Sequence, residues 1–440
     1  MGSSHTLRIF RSHAERSGVR EPQALAGVQL QTPEVFLRVC PVEEKARQDP
    51  DLSLPRSGSG VGEETFDKSY DYVLEPSPVA LPLIQPQQTR VVQVSCGRAH
   101  SLVLTDQEGV FSMGNNAYGQ CGRTIVEEEV YREPRIHGSN PCSTGVARLF
   151  SGVACGQDHS LFLTDTGKVF SCGWGADGQT GLGHHSISSC PVEVGGDLAG
   201  VEVQQISTYG DCSLAVSRDG QLFGWGNSEY RQLALATEST QMNSPRHLPL
   251  KGCGKVVQAA CGGTQVAVLN ERGEVFVWGY GILGKGPKLS ESSSPELIPP
   301  TLFGRSEFSP SAAVVRIRCG LSHFAAVTDR GELFVWGKNI RGCLGIGKKD
   351  DQFFPWRVTV PGQVVDVACG VDHMVALVKS LLSDETDSWY LQPVLLSAAC
   401  CRDIIGTRRH MEQQVIKLEG LKTSMHQIDS STDWEQRQPG

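Results

Sequence analysis

Short apolar stretches in which aromatic residues alternate with smaller ones recur along the middle of the chain. The clearest are 222–225, 275–278 and 333–336, each preceded by a turn in which glycine follows a charged residue. Alternation with a period of two indicates a half-buried strand, and glycine supplies the positive φ that a tight hairpin needs. The pattern therefore predicts a series of β-hairpins, with no 3.6-residue helical period between them.

These hairpins belong to a repeat whose clearest copy covers residues 153–183. The unit combines a Cys-Gly pair, a His four residues after the Cys, a turn ending in Gly, and a strand running into clustered glycines, and some copies carry a substitution at the Cys or the His. The first position falls at Cys96, Cys155, Thr208, Cys261, Cys319 and Cys369, in steps of 59, 53, 53, 58 and 50 residues. The second falls at His100, His159, Cys212, Gln265, His323 and His373. A fixed period of this length is the signature of a repeat architecture.

Each copy offers four short strands, which in the second copy are 153–155, 159–163, 168–172 and 187–194. Four-stranded units with this period predict an all-β fold, a β-propeller built from radially arranged blades. We place the propeller at 70–380, with repeats at 70–130, 131–190, 191–243, 244–294, 295–353 and 354–380. Residues 1–69 lack apolar periodicity, which predicts disorder.

The tail, 381–440, breaks the pattern. Five apolar residues at helical spacing predict an amphipathic helix at 409–426; they are Met411, Val415, Leu418, Leu421 and Met425.

Composition narrows the class of protein. The 440 residues carry a net charge of −8, so no global field attracts nucleic acid, and we expect no DNA partner. The fifteen cysteines, without a secretory segment or an apolar run of membrane length, favour a reduced intracellular compartment over a disulfide framework.

The first twenty residues contain arginines among serines. Arg8, Arg11, Arg16 and Arg20 suit a mitochondrial transit peptide. A plain disordered terminus fits the same residues, and residues 1–6 also match the loose N-myristoylation pattern. All three interpretations stay open at the level of the sequence.

The glycine clusters carry a family resemblance. The string G-x-N-x-x-G-Q-x-G at Gly114–Gly122 resembles the regulator-of-chromosome-condensation repeat, and related strings stand at 173–181 and 337–345. The stretches around Trp174, Trp278 and Trp336 are similar to the mitochondrial branch of that family. The resemblance implies a seven-bladed propeller, a mitochondrial address in the matrix or at the inner membrane, and a role in guanine-nucleotide exchange or mitochondrial ribosome assembly.

The sequence departs from the family pattern at both ends. We recognise six copies of the Cys-Gly position but five glycine clusters, and the tail is foreign to the family. The expectation is an incomplete ring of about five to six blades, with blades missing at the N-terminal side.

Two charged loops are candidate partner-binding sites. Glu127, Glu128 and Glu129 follow the first glycine cluster, where acidic groups would compete with phosphate for magnesium or lysine on a GTPase; a solvated charge run is the alternative. A second loop carries cations that could meet RNA phosphates, although two aspartates adjoin them. Its residues are Lys338, Arg341, Lys348 and Lys349.

Several motifs favour structure over chemistry. The stretch Gly279–Gly286 approaches a phosphate-binding loop, but Gly286 stands where Ser or Thr should be, and no helix is predicted after Lys285. The repeated histidines stand one blade apart, too dispersed for one metal site, and we expect them to bond backbone within their own blade. We therefore expect no cofactor, no metal and no enzymatic activity, a P-loop enzyme being a remote alternative.

The function this favours is a protein-interaction propeller. By resemblance it is an exchange factor for a mitochondrial GTPase, with peripheral contact to the inner mitochondrial membrane. The alternative is a ribosomal-RNA-binding factor that works with assembly proteins of the mitochondrial large subunit.

Overall fold

The hairpins predicted at Gly167, Gly220, Gly273 and Gly331 are all present, and each extends into a four-stranded antiparallel meander. The computed structural model describes residues 81–126, 150–360 and 362–379 with their side chains, and the backbone of five short strands outside these ranges. We call the successive sheets blades 1 to 6 and their strands a to d in chain order.

Five blades have four strands. Blade 1 comprises Val91–Cys96, His100–Thr105, Val110–Gly114 and His137–Gly138. Blade 2 comprises Phe150–Cys155, His159–Thr164, Val169–Gly173 and Ser188–Glu193. Blade 3 comprises Val203–Tyr209, Cys212–Ser217, Leu222–Asn227 and Gln241–Leu248. Blade 4 comprises Val256–Cys261, Gln265–Asn270, Val275–Tyr280 and Glu291–Leu297. Blade 5 comprises Val314–Cys319, His323–Thr328, Leu333–Gly337 and Gln352–Val358.

Two further sheets have three strands each. Blade 6 comprises Gln363–Cys369, Met374–Lys379 and Leu391–Leu395. The other sheet precedes blade 1 and comprises Arg8–Ile9, Val35–Leu37 and Ser77–Val79. Short 3₁₀ turns lie at Gly196–Leu198, Pro300–Phe303 and Ile340–Gly342. The predicted all-β propeller of about five to six blades is confirmed.

The ends of the chain add detail to the sequence-based picture. Two of the short strands lie within 1–69, where we predicted disorder, because two- and three-residue strands are too short to leave a visible alternation. The predicted helix at 409–426 lies outside the described residues, so it stays a prediction.

The predicted repeat boundaries cut through strands. The limits at 190, 243, 294 and 353 fall inside the d strands of blades 2 to 5, because we placed them at prolines. Those prolines, Pro191, Pro245, Pro295 and Pro355, lie within the outermost strand of each blade. Proline lacks an N–H and is confined to the edges of sheets, so its position marks the outer edge of a blade.

The a strands of blades 1 to 6 stand side by side around a central channel of about 640 Å³. Each a strand carries a β-bulge near its start, for example between Val256 and Gln258. The main core lies between blades, where strands b and c of one blade pack against the next. Trp225, Trp278 and Trp336 on the c strands are fully buried in these inter-blade layers.

The strand order gives the propeller two distinct faces. Because strands run antiparallel, the a–b turns and the c–d loops emerge on one face, which we call the first face. The b–c hairpin turns emerge on the opposite side, the second face. The repeated Cys-Gly-x-x-x-His segments and all glycine clusters therefore belong to the first face.

Candidate partner-binding face

In blades 1 and 5 the c–d loop of the first face is held by an asparagine at the same repeat position. In blade 5, Asn339 Nδ2 donates to the carbonyls of Lys348 (2.7 Å) and Asp350 (3.1 Å), and its Oδ1 accepts from Leu344 N–H (2.9 Å). Asn116 plays the same part in blade 1, accepting from Cys121 N–H at 3.0 Å. One amide side chain thus hydrogen-bonds to both sides of the loop, which explains the Asn in the G-x-N motif.

The glutamine of the glycine cluster joins consecutive blades through its carbonyl. Gln179 accepts the indole N–H of Trp225 in the next blade at 2.9 Å, and Gln232 accepts that of Trp278 at 2.8 Å. Gly181 lies so close to the Trp225 ring that a Cβ would stand 2.7 Å from its Nε1. The G-Q-x-G spacing therefore serves packing between blades.

Two of the repeated histidines, His100 and His159, bond serine hydroxyls of the next blade, which corrects our expectation that each would bond backbone in its own blade. His100 Nε2 lies 2.9 Å from Ser160 Oγ of blade 2, and His159 Nε2 lies 2.9 Å from Ser213 Oγ of blade 3. Ser160 donates its own proton to the Gln120 carbonyl at 2.6 Å, so the histidine must be the donor. The reach of the ring into the neighbouring blade cannot be seen from spacing within one repeat.

The Cys-Gly-x-x-x-His segment has a steric reason for its glycine. A Cβ at Gly156 would overlap the ring of His159, and Gly97, Gly320 and Gly370 stand in the same relation to their own histidines. Burial raises the pKa of the Cys155 and Cys319 thiols well above the usual value, which makes these two poor nucleophiles. Cys96, Cys261 and Cys369 occupy the same position of their a strands. The structural role of the repeat positions as a set stays a prediction.

These histidines are neutral. Burial lowers the pKa of His100 to about 4, of His159 to about 3 and of His323 to about 4. His323 has no hydroxyl partner because Met374 stands where blades 2 and 3 have serine; its Nδ1 lies 3.7 Å from Cys343 Sγ. His373 belongs to the same series, with Nδ1 3.4 Å from Asp372.

Acidic groups gather on the first face of blades 2 and 3. Asp158 pairs with Arg98 of blade 1, and Asp211 accepts from Gln179 Nε2 at 2.9 Å. Burial, reinforced by the charges of Asp177 and Asp158, raises the pKa of Asp211 to about 6. Glu229 lies exposed on the c–d loop beside them. This part of the face thus favours a positively charged partner.

Aromatic pairs bridge neighbouring blades on the same face. The ring centroids of Tyr118 and Trp174 are 4.7 Å apart, and those of Tyr230 and Tyr280 are 5.9 Å apart. Tyr230 and Tyr280 expose 41% and 50% of their surface. Aromatic side chains are enriched at protein interfaces, so the two exposed tyrosines are candidate anchors.

The predicted basic loop is on the first face, and two of its four cations lie beside carboxylates. Arg341 pairs with Asp372 of blade 6 at 2.9 Å, and Lys348 lies 4.0 Å from Asp350 and 5.0 Å from the centre of the Trp356 ring. Lys338 and Lys349 are exposed and make no ion pair with the described residues. Glu127, Glu128 and Glu129 lie outside the described residues, so their role stays a prediction.

The glycine-rich stretch before Lys285 makes the contacts of a loop between two strands and lacks the helix that follows a phosphate-binding loop. Lys285 Nζ lies 2.6 Å from Glu296 of strand d in its own blade, and strand Glu291–Leu297 follows the loop in place of a helix. Its Gly286 N–H donates to Phe353 of blade 5 at 2.9 Å. Within the described ranges, no three His, Cys, Asp or Glu side chains are grouped as a metal site.

Among the residues that the structure describes, no helix has the length and apolar character needed to cross a bilayer.

The motif positions match models of the regulator of chromosome condensation (RCC1) repeat. One model matches residues 107–163, 166–216, 219–269 and 330–377, and a second matches 91–120, 150–179 and 314–343. The chain belongs to the regulator of chromosome condensation repeat family.

Relatives with this repeat extend the comparison. The chain is 71% identical to the human RCC1-like G exchanging factor-like protein over 316 residues, covering 72% of this chain and 67% of the relative. The mouse protein of the same name is 69% identical over 316 residues, covering 72% and 68%. The crystal structure of human WBSCR16 superimposes with a TM-score of 0.68 at 71% identity, covering 71% of this chain and 77% of that one.

A more distant solved structure shows the fold alone. Yeast RCC1 (Prp20), crystallised with Kap60, aligns with a TM-score of 0.59 at 19% identity, covering 70% of this chain and 71% of that one.

Sequence reasoning missed the acidic and aromatic groups of the first face. Asp158 and Asp211 stand directly before the His position of their repeats, and Tyr118 and Tyr230 stand at one shared place in the c–d loops. These positions vary from copy to copy around an otherwise constant motif. Positions that vary between copies of an otherwise constant repeat are the signal that could have located these acidic and aromatic residues.

Proposed function

We propose that this chain is a guanine-nucleotide exchange factor for a mitochondrial GTPase, which it binds with the first face of its propeller. The observation that carries the proposal is membership in the family together with 71% identity to a human RCC1-like G exchanging factor-like protein. The face supports it by presenting Asp177, Asp211 and Glu229 beside the exposed Tyr230 and Tyr280.

Exchange needs no chemistry from the propeller itself. A protein that binds the nucleotide-free GTPase more tightly than the loaded form lowers the affinity for nucleotide by the same factor, because the two equilibria are linked. Acidic side chains would contact the lysine or magnesium that otherwise holds phosphate, and the tyrosines would anchor the interface. The proposed role is therefore binding, without a hydrolytic reaction in this chain.

Release of a fluorescent GDP analogue from purified mitochondrial GTPases tests the proposal. Catalytic amounts of the chain should accelerate release from one of them, and Glu229→Lys should slow that release about tenfold. Asp219→Lys is the matched control, because it reverses an exposed acid on the second face of the same blade. Equal loss in the two variants, or no accelerated release from any GTPase, would contradict the proposal.

A second candidate, binding to ribosomal RNA, is favoured by the exposed cations of the basic loop. Lys338 and Lys349 lack described counter-ions, so they are the two charges free for phosphates. Replacing both with alanine should reduce retention of ribosomal RNA. It should also lower the slope of log affinity against log salt concentration by the amount expected for about two phosphate contacts. RNA retention that is unchanged in this variant would leave the basic loop without that role.

A further inference from the structure

The central channel has a wall that is almost entirely neutral. Its described lining consists of the a strands of blades 1 to 6 with Leu377 of blade 6, and the charged side chains in it are Arg318 and Asp366; Arg316 adjoins them and contacts Asp366. Neutral polar groups make up much of the remainder, among them Gln93, Ser95 and Ser207. Any unbalanced charge in this wall is therefore conspicuous.

In three blades a neutral glutamine ties one a strand to the next. Gln205 Nε2 donates to the carbonyl of Ala259 at 2.9 Å, and its Oε1 accepts from the Ala259 N–H at 2.8 Å. Gln93 bonds Val153 in the same two-way fashion, and Gln258 accepts from Ile317 N–H. These contacts hold the channel wall together without introducing charge.

Blade 5 breaks this rule with two arginines. Arg316 stands at the glutamine position, and Arg318 follows two residues later on the same face of the strand. Both approach one carboxylate of blade 6: Arg316 Nη1 lies 3.4 Å from one oxygen of Asp366 and Arg318 Nη2 lies 3.4 Å from the other. Two guanidinium groups share a single carboxylate, which leaves one positive charge without a described counter-ion.

Arg318 carries part of the surplus charge at the cavity. Burial lowers the pKa of its guanidinium, and the charge of Asp366 raises it. The guanidinium also donates from Nη1 to the carbonyl of its neighbour Ile317 at 3.1 Å, a neutral contact. A third of the Arg318 side chain remains accessible from the cavity.

We propose that the channel beside Arg316, Arg318 and Asp366 binds the phosphate group of a small molecule. The planar guanidinium fork matches the oxygens of phosphate, and a phosphate monoanion would balance the one positive charge that Asp366 leaves uncompensated. The cavity of about 640 Å³ accommodates inorganic phosphate or a phosphate-bearing metabolite. The site is separate from the first-face groups assigned to the GTPase.

Equilibrium dialysis of the full chain against radiolabelled inorganic phosphate tests this site. At constant ionic strength we expect saturable binding of one phosphate per chain. Arg318→Gln should weaken it at least tenfold, and Arg316→Gln should weaken it too. Asp366→Asn should tighten it several-fold, because it removes the carboxylate that competes with the ligand. A second arm with a nucleoside monophosphate distinguishes free phosphate from a phosphate carried by a larger molecule.

The control variants distinguish phosphate binding in the channel from phosphate binding to cations elsewhere on the protein. Arg357→Gln removes an exposed arginine that pairs with Glu332 on the outer rim, and phosphate affinity should be unchanged. Circular dichroism checks that each variant is folded. The tighter phosphate binding expected of Asp366→Asn is a gain, which a misfolded variant would not show. Absence of saturable binding by both the natural chain and Asp366→Asn would overturn the proposal. So would binding that Lys338→Ala and Lys349→Ala abolish while Arg318→Gln leaves it intact.

Discussion

The indole N–H of Trp278 in blade 4 donates to the main-chain carbonyl of Gln232 in blade 3 at 2.8 Å. Trp336, one blade further on, is equally buried, but its Nε1 has no acceptor among the described residues. The glycine-rich loop that packs against it is shorter, because Gly279 to Gly284 spans six residues where Gly173 to Gly181 spans nine. The same buried ring is therefore held differently at two successive interfaces.

This difference predicts unequal costs for one substitution. Trp278→Phe removes ring volume and a hydrogen bond and leaves the Gln232 carbonyl unpaired, whereas Trp336→Phe removes only ring volume. We expect Trp278→Phe to lower the free energy of unfolding by about 1–2 kcal/mol more than Trp336→Phe. Urea unfolding followed by circular dichroism measures both, with Trp225→Phe as a second bonded case. Equal losses would show that the indole bond adds no net stability.

The glutamine contacts of the channel wall predict a position-specific effect on stability. Gln205→Leu leaves both the N–H and the carbonyl of Ala259 without their partner, which should cost about 1–3 kcal/mol. Gln204→Leu is the control, since Gln204 is exposed at the β-bulge of the same strand. The midpoint of urea unfolding should fall for the first variant and stay nearly constant for the second. Similar midpoints would contradict the proposed bonding.

The buried histidines predict a loss of stability in acid. An unfolded histidine titrates near pH 6.5, but burial holds the pKa of His100, His159 and His323 at about 3 to 4. Below pH 6.5 the unfolded chain binds more protons, so stability is fully present above that pH and falls toward pH 4. Each histidine contributes about 1.4 kcal/mol per pH unit to the slope.

Two carboxyl groups act in the opposite sense. Because burial raises the pKa of Asp211 to about 6, the folded state binds the extra proton between pH 6 and about 4, and Asp158 shifts in the same direction. The expected net loss is therefore about 1–3 kcal/mol per pH unit below pH 6. Urea unfolding at pH 7.5, 6 and 5 checks this, and His159→Gln should give a flatter profile. A profile that is flat in the natural chain would contradict the assignment of neutral histidines.

Arg231 predicts a stabilising substitution. Its φ of 63° lies in the left-handed region, at a place where the loops of blades 1 and 2 have Gly119 and Gly178 with φ of 76° and 79°. Arg231→Gly should raise the free energy of unfolding by about 1 kcal/mol, because glycine adopts this conformation without steric cost. Arg231→Ala keeps the strained backbone and should change stability little. If alanine stabilised as much as glycine, the side chain and not the backbone would be responsible.

Elements that follow from local residues could be predicted from the sequence. The hairpin at Asp165 to Gly167 and the four strands of blade 2 follow from alternation and turn chemistry within one repeat. The bond from His159 to Ser213 could not be predicted, because it depends on how one sheet stacks on the next. The same limit applies to the candidate site, where Tyr230 and Tyr280 meet only after blades 3 and 4 are packed together. The ion pair between Arg341 and Asp372 could not be predicted either, because Asp372 lies in the neighbouring blade.

The prolines at the outer edges of blades 2 to 5 affect how copies of the molecule meet each other. Pro191, Pro245, Pro295 and Pro355 each lack an N–H in the outermost strand of a blade. A fifth strand from a neighbouring molecule would find one backbone donor fewer on every one of these strands. Concentrated solutions of the chain should therefore resist strand-to-strand association at the outer edges of blades 2 to 5.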